Sequence, residues 1–99
     1  MAKYIYPAVF IPEKEGGYSV GFPDVEGCFT SGDTLEDALA MAKDALSLML
    51  VELEDEEKAI PDASDIRDLK LEKKMFAIPI SADTMDYREN VLNATKPSR

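Results

Sequence analysis

The stretch TLEDALAMAKDALSLMLVELE, residues 34–54, decides how this chain folds. Leu35, Ala38, Leu39, Ala42, Ala45, Leu46, Met49, Leu50 and Leu53 recur at intervals of three and four, which places them along one face of an α-helix. The spacing predicts a single helix of about five turns over 34–54. Either Asp33 or Thr34 can cap its start, and Thr34 with Asp37 three residues on approximates a capping box. Glu36 and Asp37 sit where the helix dipole favours negative charge. Ala38, Ala42 and Ala45 are small enough to let the helix backbone lie close to a sheet. Met41 and Leu48 widen the stripe beyond what one small sheet needs.

On the N-terminal side the period changes from helical to alternating. Tyr4, Tyr6, Ala8 and Phe10 alternate with Ile5, Pro7, Val9 and Ile11, and both sets are largely apolar. One set is expected to face the helix and the other to be partly covered, for instance by a second subunit. Pro7 has no N–H and requires an edge, a bulge or an outward-facing position. Glu13 to Gly17 is a hairpin loop, with Gly16 and Gly17 supplying positive φ. Tyr18, Val20 and Phe22 form a half-buried second strand, broken at Pro23-Asp24. Cys28, Phe29 and Thr30 form a short third strand, left at Gly32.

On the C-terminal side, Glu54 to Lys58 is expected to fray into solvent, because acids at a helix C-terminus oppose its dipole. Pro61 to Asp65 is a loop. The near-continuous apolar run from Met75 to Ile80 predicts a last strand at about 74–80, covered on both faces. The expected fold is therefore α+β: a small antiparallel sheet in the order β-β-β-α-β with one long helix packed across it. Residues 1–80 read as one domain and 81–99 as a short tail. That tail either forms two helical turns at 84–92, with Met85, Arg88 and Leu92 in line, or orders only on a partner. Lys96 to Arg99 is expected to be loose.

Ninety-nine residues support one core and not two. Eleven Lys and Arg against twenty Asp and Glu leave a net charge of −9, which argues against wrapping nucleic acid and for a basic protein partner. The surplus sits in residues 31–66, mostly in Glu52, Glu54, Asp55, Glu56 and Glu57. This acidic run, with Asp24 and Glu26, is the candidate partner-binding surface. Arg67, Lys70, Lys73 and Lys74 form a basic stretch that reads as a solvated flank.

Histidine is absent, so histidine-based acid/base catalysis and metal ligation are excluded. Asp24 and Glu26 beside Cys28 are the only cluster resembling a site. Two carboxylates are too few for a divalent cation, and nearby acids raise the pKa of a lone thiol. The expectation is no catalysis, no cofactor and no metal. One cysteine excludes an internal disulfide. The N-terminal run is broken by Pro7 and Pro12 and reads as a strand, not a signal peptide. No apolar run reaches the length of a membrane span, and a cytoplasmic location is the expectation.

The sequence Phe22-Pro23-Asp24, Gly27-Cys28, Gly32-Asp33-Thr34 and Glu36-Asp37-Ala38, in that order and spacing, resembles the HicB antitoxin family, strongly over residues 4–55 and loosely over 56–80. Tyr6 to Phe10 and Gly16-Gly17-Tyr18 fit as well. The resemblance implies a partial ribonuclease-H-like unit without nuclease activity. It also implies a type II antitoxin that covers a small basic HicA-like mRNA-cleaving toxin. Phe22, Pro23, Asp24, Gly27, Cys28, Gly32, Asp33 and Thr34 are the family's motif positions, mostly structural. Many members carry a C-terminal DNA-binding module and repress their own transcription. The nineteen residues after Ile80 are too few for a helix-turn-helix, so operator binding by this chain alone is doubtful. Apolar anchors for the toxin come from Phe10, Tyr18, Phe22, Phe29, Met75 and Phe76. The alternative is a stand-alone homo-oligomeric scaffold or small-ligand module without a toxin. Strands apolar on both faces favour a homo-oligomer, most simply a dimer.

Overall fold

A computed structural model describes residues 3–92. The elements follow in the order β1 (Lys3–Pro12), β2 (Tyr18–Gly21), β3 (Phe29–Gly32), α1 (Leu35–Asp55), a 3₁₀ turn (Ile66–Asp68), β4 (Phe76–Asp83), α2 (Thr84–Tyr87) and a π-helical turn (Arg88–Leu92). The four strands form one antiparallel sheet in the order β3-β2-β1-β4.

The β1–β2 hairpin closes on two backbone bonds. The Glu13 N–H donates to the Gly17 carbonyl at 3.0 Å, and the Gly16 N–H donates to the Glu13 carbonyl at 3.0 Å. Both glycines have positive φ, +97° and +85°. The Glu13–Gly17 bond also sets the phase of the ladder. Hydrogen-bonding pairs alternate along antiparallel strands, so Ile11–Ser19 and Val9–Gly21 are the next two. Odd-numbered residues of β1 therefore direct their backbone polar groups toward β2.

That phase explains Pro7, which was expected at an edge, at a bulge or with its nitrogen turned outward. It is buried in an interior strand, and the last of the three holds. Its missing donor lies on the β2 side, where the ladder has already stopped at Val9–Gly21. On the other side Pro7 stands opposite Pro79, a non-hydrogen-bonding position at which neither residue needs a donor. The nitrogen of Pro79 consequently faces the free edge of β4.

The even-numbered side chains of β1 form the inner face. Tyr6, Ala8 and Phe10 are buried there and register against Ile80, Ile78 and Phe76 of β4. Phe10 stacks on Phe76 with ring centroids 5.4 Å apart, and Tyr18 meets Phe76 edge-on at 6.0 Å. α1 lies across this face on Ala38, Ala42, Leu46 and Leu50, all fully buried. Burying each of the two leucines stabilises the fold by about 1.5–3 kcal/mol. The hydroxyl of Tyr6 donates to the Pro61 carbonyl and pins the loop after α1 against the sheet.

Both ends of α1 are closed. Thr34, not Asp33, caps the start: its Oγ1 accepts the Asp37 N–H at 3.0 Å, worth about 1 kcal/mol. At the other end the expected fraying is not found. The Lys58 N–H bonds the Leu53 carbonyl at 2.9 Å and the Glu57 N–H bonds the Glu54 carbonyl at 3.1 Å. This is a Schellman closure, with Glu57 at φ +56° where glycine is usual.

The last strand begins at Phe76 and continues to Asp83, later and longer than the expected 74–80. Ser81, Ala82 and Asp83 pair with Ile5, Tyr4 and Lys3, and the length of β1 carries the ladder past the apolar run. Beyond it, residues 84–92 are helical, as the first of the two readings of the tail had it. The side chain of Leu92 and residues 93–99, including Lys96 and Arg99, lie outside the described residues.

Candidate functional site

The motif residues 22–28 form a loop held by its own backbone. The Phe22 N–H donates to the Cys28 carbonyl, the Val25 N–H to the Phe22 carbonyl and the Cys28 N–H to the Val25 carbonyl, each at 3.1 Å. Phe22, Val25 and Cys28 point into the core. Gly27 makes the reversal at φ +79°. Asp24 is not a free carboxylate. It accepts the Ser64 N–H at 2.8 Å and the Ser64 hydroxyl at 2.6 Å, which ties the loop after α1 to the motif loop. Glu26, Pro23 and Asp33 are exposed. Burial pushes the Cys28 thiol up to about 11, so it stays protonated near neutral pH and is a packing residue. Among the described residues no three Asp, Glu or Cys side chains converge in a metal-binding arrangement.

The acidic run divides into two roles. Glu52, Asp55, Glu56 and Glu57 are exposed, whereas Glu54 turns inward. Its carboxylate accepts from the Tyr4 hydroxyl at 2.8 Å, the Thr84 hydroxyl at 2.9 Å and an Arg88 guanidinium nitrogen at 2.9 Å. The other Arg88 nitrogen reaches Asp55 at 3.0 Å. Burial alone would raise the Glu54 pKa, but the bonds from Arg88, Tyr4 and Thr84 outweigh it and hold the carboxyl below its ordinary value. Glu54 is the hub that fastens residues 84–88 to β1 and α1.

Because the folded pKa is depressed, the stability Glu54 contributes is complete above its unfolded value near 4.5 and is lost as pH falls through the folded value. Glu54→Gln is expected to cost about 1 kcal/mol at neutral pH. That difference should shrink between about pH 5 and 3. Urea titrations of both proteins across that range check it, and a gap that stays constant with pH would contradict the assignment.

The exposed side of α1 carries a second arrangement. Asp37, Met41, Asp44, Leu48, Glu52 and Asp55 follow one another at three- and four-residue steps and are all exposed, so they lie in one row. Acids alternate with two large apolar side chains left bare on a helix whose other face is fully used. Asp44 and the buried Tyr87 interact: burial first, then Asp44, raises the tyrosine pKa. Leu48 also borders a hollow of about 200 Å³ with Phe29, Met49 and Glu52. The excess breadth given to the stripe by Met41 and Leu48 was the sequence signal for this row. Of the expected anchors, Phe10 and Phe22 are core, Tyr18, Met75 and Phe76 are half-buried, and Phe29 is 75% exposed.

Several comparisons bear on this surface. "Antitoxin HicB 1" of Photorhabdus laumondii subsp. laumondii is 56% identical over 41 residues, 41% of this chain and 26% of that protein. The matched part is thus about a quarter of that relative's length. The structure titled "Toxin-Antitoxin complex from Streptococcus pneumoniae" superposes with a TM-score of 0.78 at 25% identity, over 98% of this chain and 78% of that one. A chain of the "HicA3 and HicB3 toxin-antitoxin complex" superposes at 0.59 with 28% identity, over 81% and 96%. The family described as "HicB_like antitoxin of bacterial toxin-antitoxin system" matches residues 6–99, taking in the motif loop, the helix with its acidic row and the strand that completes the sheet. With that span matched, the chain belongs to the HicB-like antitoxin family.

Proposed function

We propose that this chain is the antitoxin of a type II pair, binding and neutralising a small basic HicA-like mRNA-cleaving toxin in the cytoplasm without catalysis of its own. The row Asp37, Met41, Asp44, Leu48, Glu52 and Asp55 carries this reading. An RNA-cleaving protein needs cationic side chains to hold phosphates. Carboxylates on a helix can occupy those cations, while Met41 and Leu48 supply the desolvated contacts that hold an interface together. Inhibition is then steric and electrostatic: the row competes with RNA for the same cations. Glu56 and Glu57 lie beyond the row and steer the encounter. Asp24 and Glu54 stay in internal bonds. Asp55 shares its charge with Arg88 and Asp44 with Tyr87, so that Asp37 and Glu52 are the carboxylates of the row most open to a partner. Glu26 is a rim contact. Residues 1–80, with the strand they complete through Asp83, act as the toxin-binding domain, and the helical segment after it as an appendage fastened through Glu54. Repression of its own transcription would need DNA-binding elements that this acidic body does not supply. The stand-alone scaffold is not favoured, because the solved complexes with this fold hold a toxin.

Co-expression with an adjacent small basic gene, followed by co-purification and an RNA-cleavage assay, is the test. The expected result is a complex in which cleavage is suppressed. Glu52, Glu56 and Glu57 changed together to Gln should slow association several-fold at low salt. The difference should fade near 0.5 M salt, where the screening length is about 4 Å. Leu48→Ala should instead speed dissociation by about tenfold. A neighbouring product that neither co-purifies nor loses activity would overturn the reading.

A further inference from the structure

β3 is the outermost strand on its side of the sheet among the described residues, and its four residues include neither a proline nor a charge. The Phe22 N–H bonds the Cys28 carbonyl, so Val20–Thr30 and Tyr18–Gly32 are the hydrogen-bonding pairs between β2 and β3. The backbone N–H and C=O groups of Phe29 and Ser31 therefore turn away from β2, toward the open edge. On the opposite border the outward nitrogen belongs to Pro79 and donates nothing. Of the two edges, β3 is the one able to accept a strand.

α1 walls this edge on the helix side, and two hollows lie between them. One, of about 340 Å³, is bounded by Ser31, Gly32 and Asp33 with Asp37 and Met41 of the helix. The other, of about 200 Å³, is bounded by Gly27, Cys28 and Phe29 with Leu48, Met49 and Glu52. Every charged group lining either hollow is a carboxylate, and Asp37 and Glu52 are the two acids of the row that hold no side-chain partner of their own. Met41 and Leu48, seven residues apart, stand bare beside the hollows.

We propose that an extended segment of the partner adds to β3 as a fifth strand, with two cationic side chains four residues apart entering the hollows and an apolar one midway between them. The proposal rests on the antitoxin reading and specifies how the toxin is held. Register selects the pattern. Cys28 and Val20 are buried under α1, so positions 28, 30 and 32 of β3 face the helix layer, and so do the incoming residues opposite them. Cys28 borders the smaller hollow and Gly32 the larger, about 13 Å apart along a strand. Incoming side chains j and j+4 meet the hollows, and j+2 falls beside Met41 and Leu48. Lysine or arginine reaches the carboxylates there while laying its apolar stem on Leu48, Met49 or Met41. Bonds to Phe29 and Ser31 supply affinity, and the hollows supply selection. A helix presented by the partner could meet the acids but would leave those backbone groups unbonded.

Titration of the full chain with the end-blocked peptide TKTVTKT, up to about 1 mM as suits so short a strand, tests the proposal through backbone amide resonances. The expected result is that the amides of Phe29 and Ser31 shift most. N-methylation of the two threonines beside the valine removes the donors facing β3 without changing charge, and should weaken binding by about tenfold or more. The peptide KTTVTTK, with its lysines turned to the other face, should lose about as much. In the chain itself, Ser31→Pro removes an outward donor and should weaken the complex with a co-expressed basic toxin by about tenfold. If that variant misfolds, the methylated peptide still decides. Equal binding of the plain and methylated peptides overturns the proposal, and so do shifts confined to α1. A toxin held as tightly by a folded Ser31→Pro as by the native chain also overturns it, while the antitoxin reading stands. The peptide arm needs no toxin, so it reads the edge independently of that reading.

Discussion

Gly32→Ala is expected to cost this fold about 3 kcal/mol or more, the upper end of the range for overpacking a close contact. A Cβ at position 32 would lie 2.4 Å from the Ala38 nitrogen and 2.6 Å from its Cα. Those atoms belong to the first turn of α1 and cannot retreat singly, because the Ala38 N–H is bonded to the Thr34 carbonyl at 2.9 Å. Relief requires moving β3 from the helix, and with it the contact that lets Ala38 and Ala42 reach the sheet. Gly16→Ala is the control. Its Cβ meets nothing within 4 Å, so only the positive φ is strained, at about 1 kcal/mol. Urea midpoints of the two variants against the native chain decide the matter. Equal losses would show that the approach of β3 to α1 is not what Gly32 provides. Since domains of this size hold about 5–15 kcal/mol in all, the first variant removes much of the margin.

The second large effect separates two phenylalanines that look alike in the sequence. Phe10→Ala should destabilise by about 3–5 kcal/mol, because a fully buried ring is replaced by a cavity. The loss includes its stack on Phe76, of a kind worth about 0.5–1.5 kcal/mol beyond area. Phe29→Ala should change the stability of the single chain by no more than about 0.5 kcal/mol, since the ring is largely in solvent. Denaturation at sub-micromolar protein keeps self-association out of the comparison. A large loss at Phe29 under those conditions would mean that its ring is packed within the chain.

The difference between these residues marks where reading the sequence stops. The helix was legible because its period repeats over twenty-one residues, and the hairpin because two glycines interrupt an alternation. The faces of β1 were legible as two apolar sets, but not which set meets the helix. That depends on the phase set by the Glu13–Gly17 bond. β4 was read short because Ser81 and Asp83 have no strand character of their own and are held by the register of β1. Glu54 was indistinguishable from its acidic neighbours because its partners are 50, 30 and 34 residues away. The four acids at the end of α1 suggested a frayed terminus, whereas the closing bonds come from backbone groups that composition does not display. The acidic row was not read as such: the sequence pointed to the acids at 52–57 with Asp24 and Glu26, and only the exposure of Asp37, Met41, Asp44 and Leu48 brings them into line with Glu52.

The facing prolines have a consequence beyond the ladder they fit into. β4 is an eight-residue border of the sheet with no strand beside it among the described residues, the kind of border on which a foreign strand can be templated. Pro79 leaves that border without a donor midway, with three residues before the gap and four after it. An incoming chain would have to register across a missing rung, and neither remnant alone matches the five or six residues of an ordinary strand. Seeding of amyloid-like stacks from this side is thereby discouraged by one imino acid. Pro7 opposite it is what lets the imino acid sit there without loss to the sheet within.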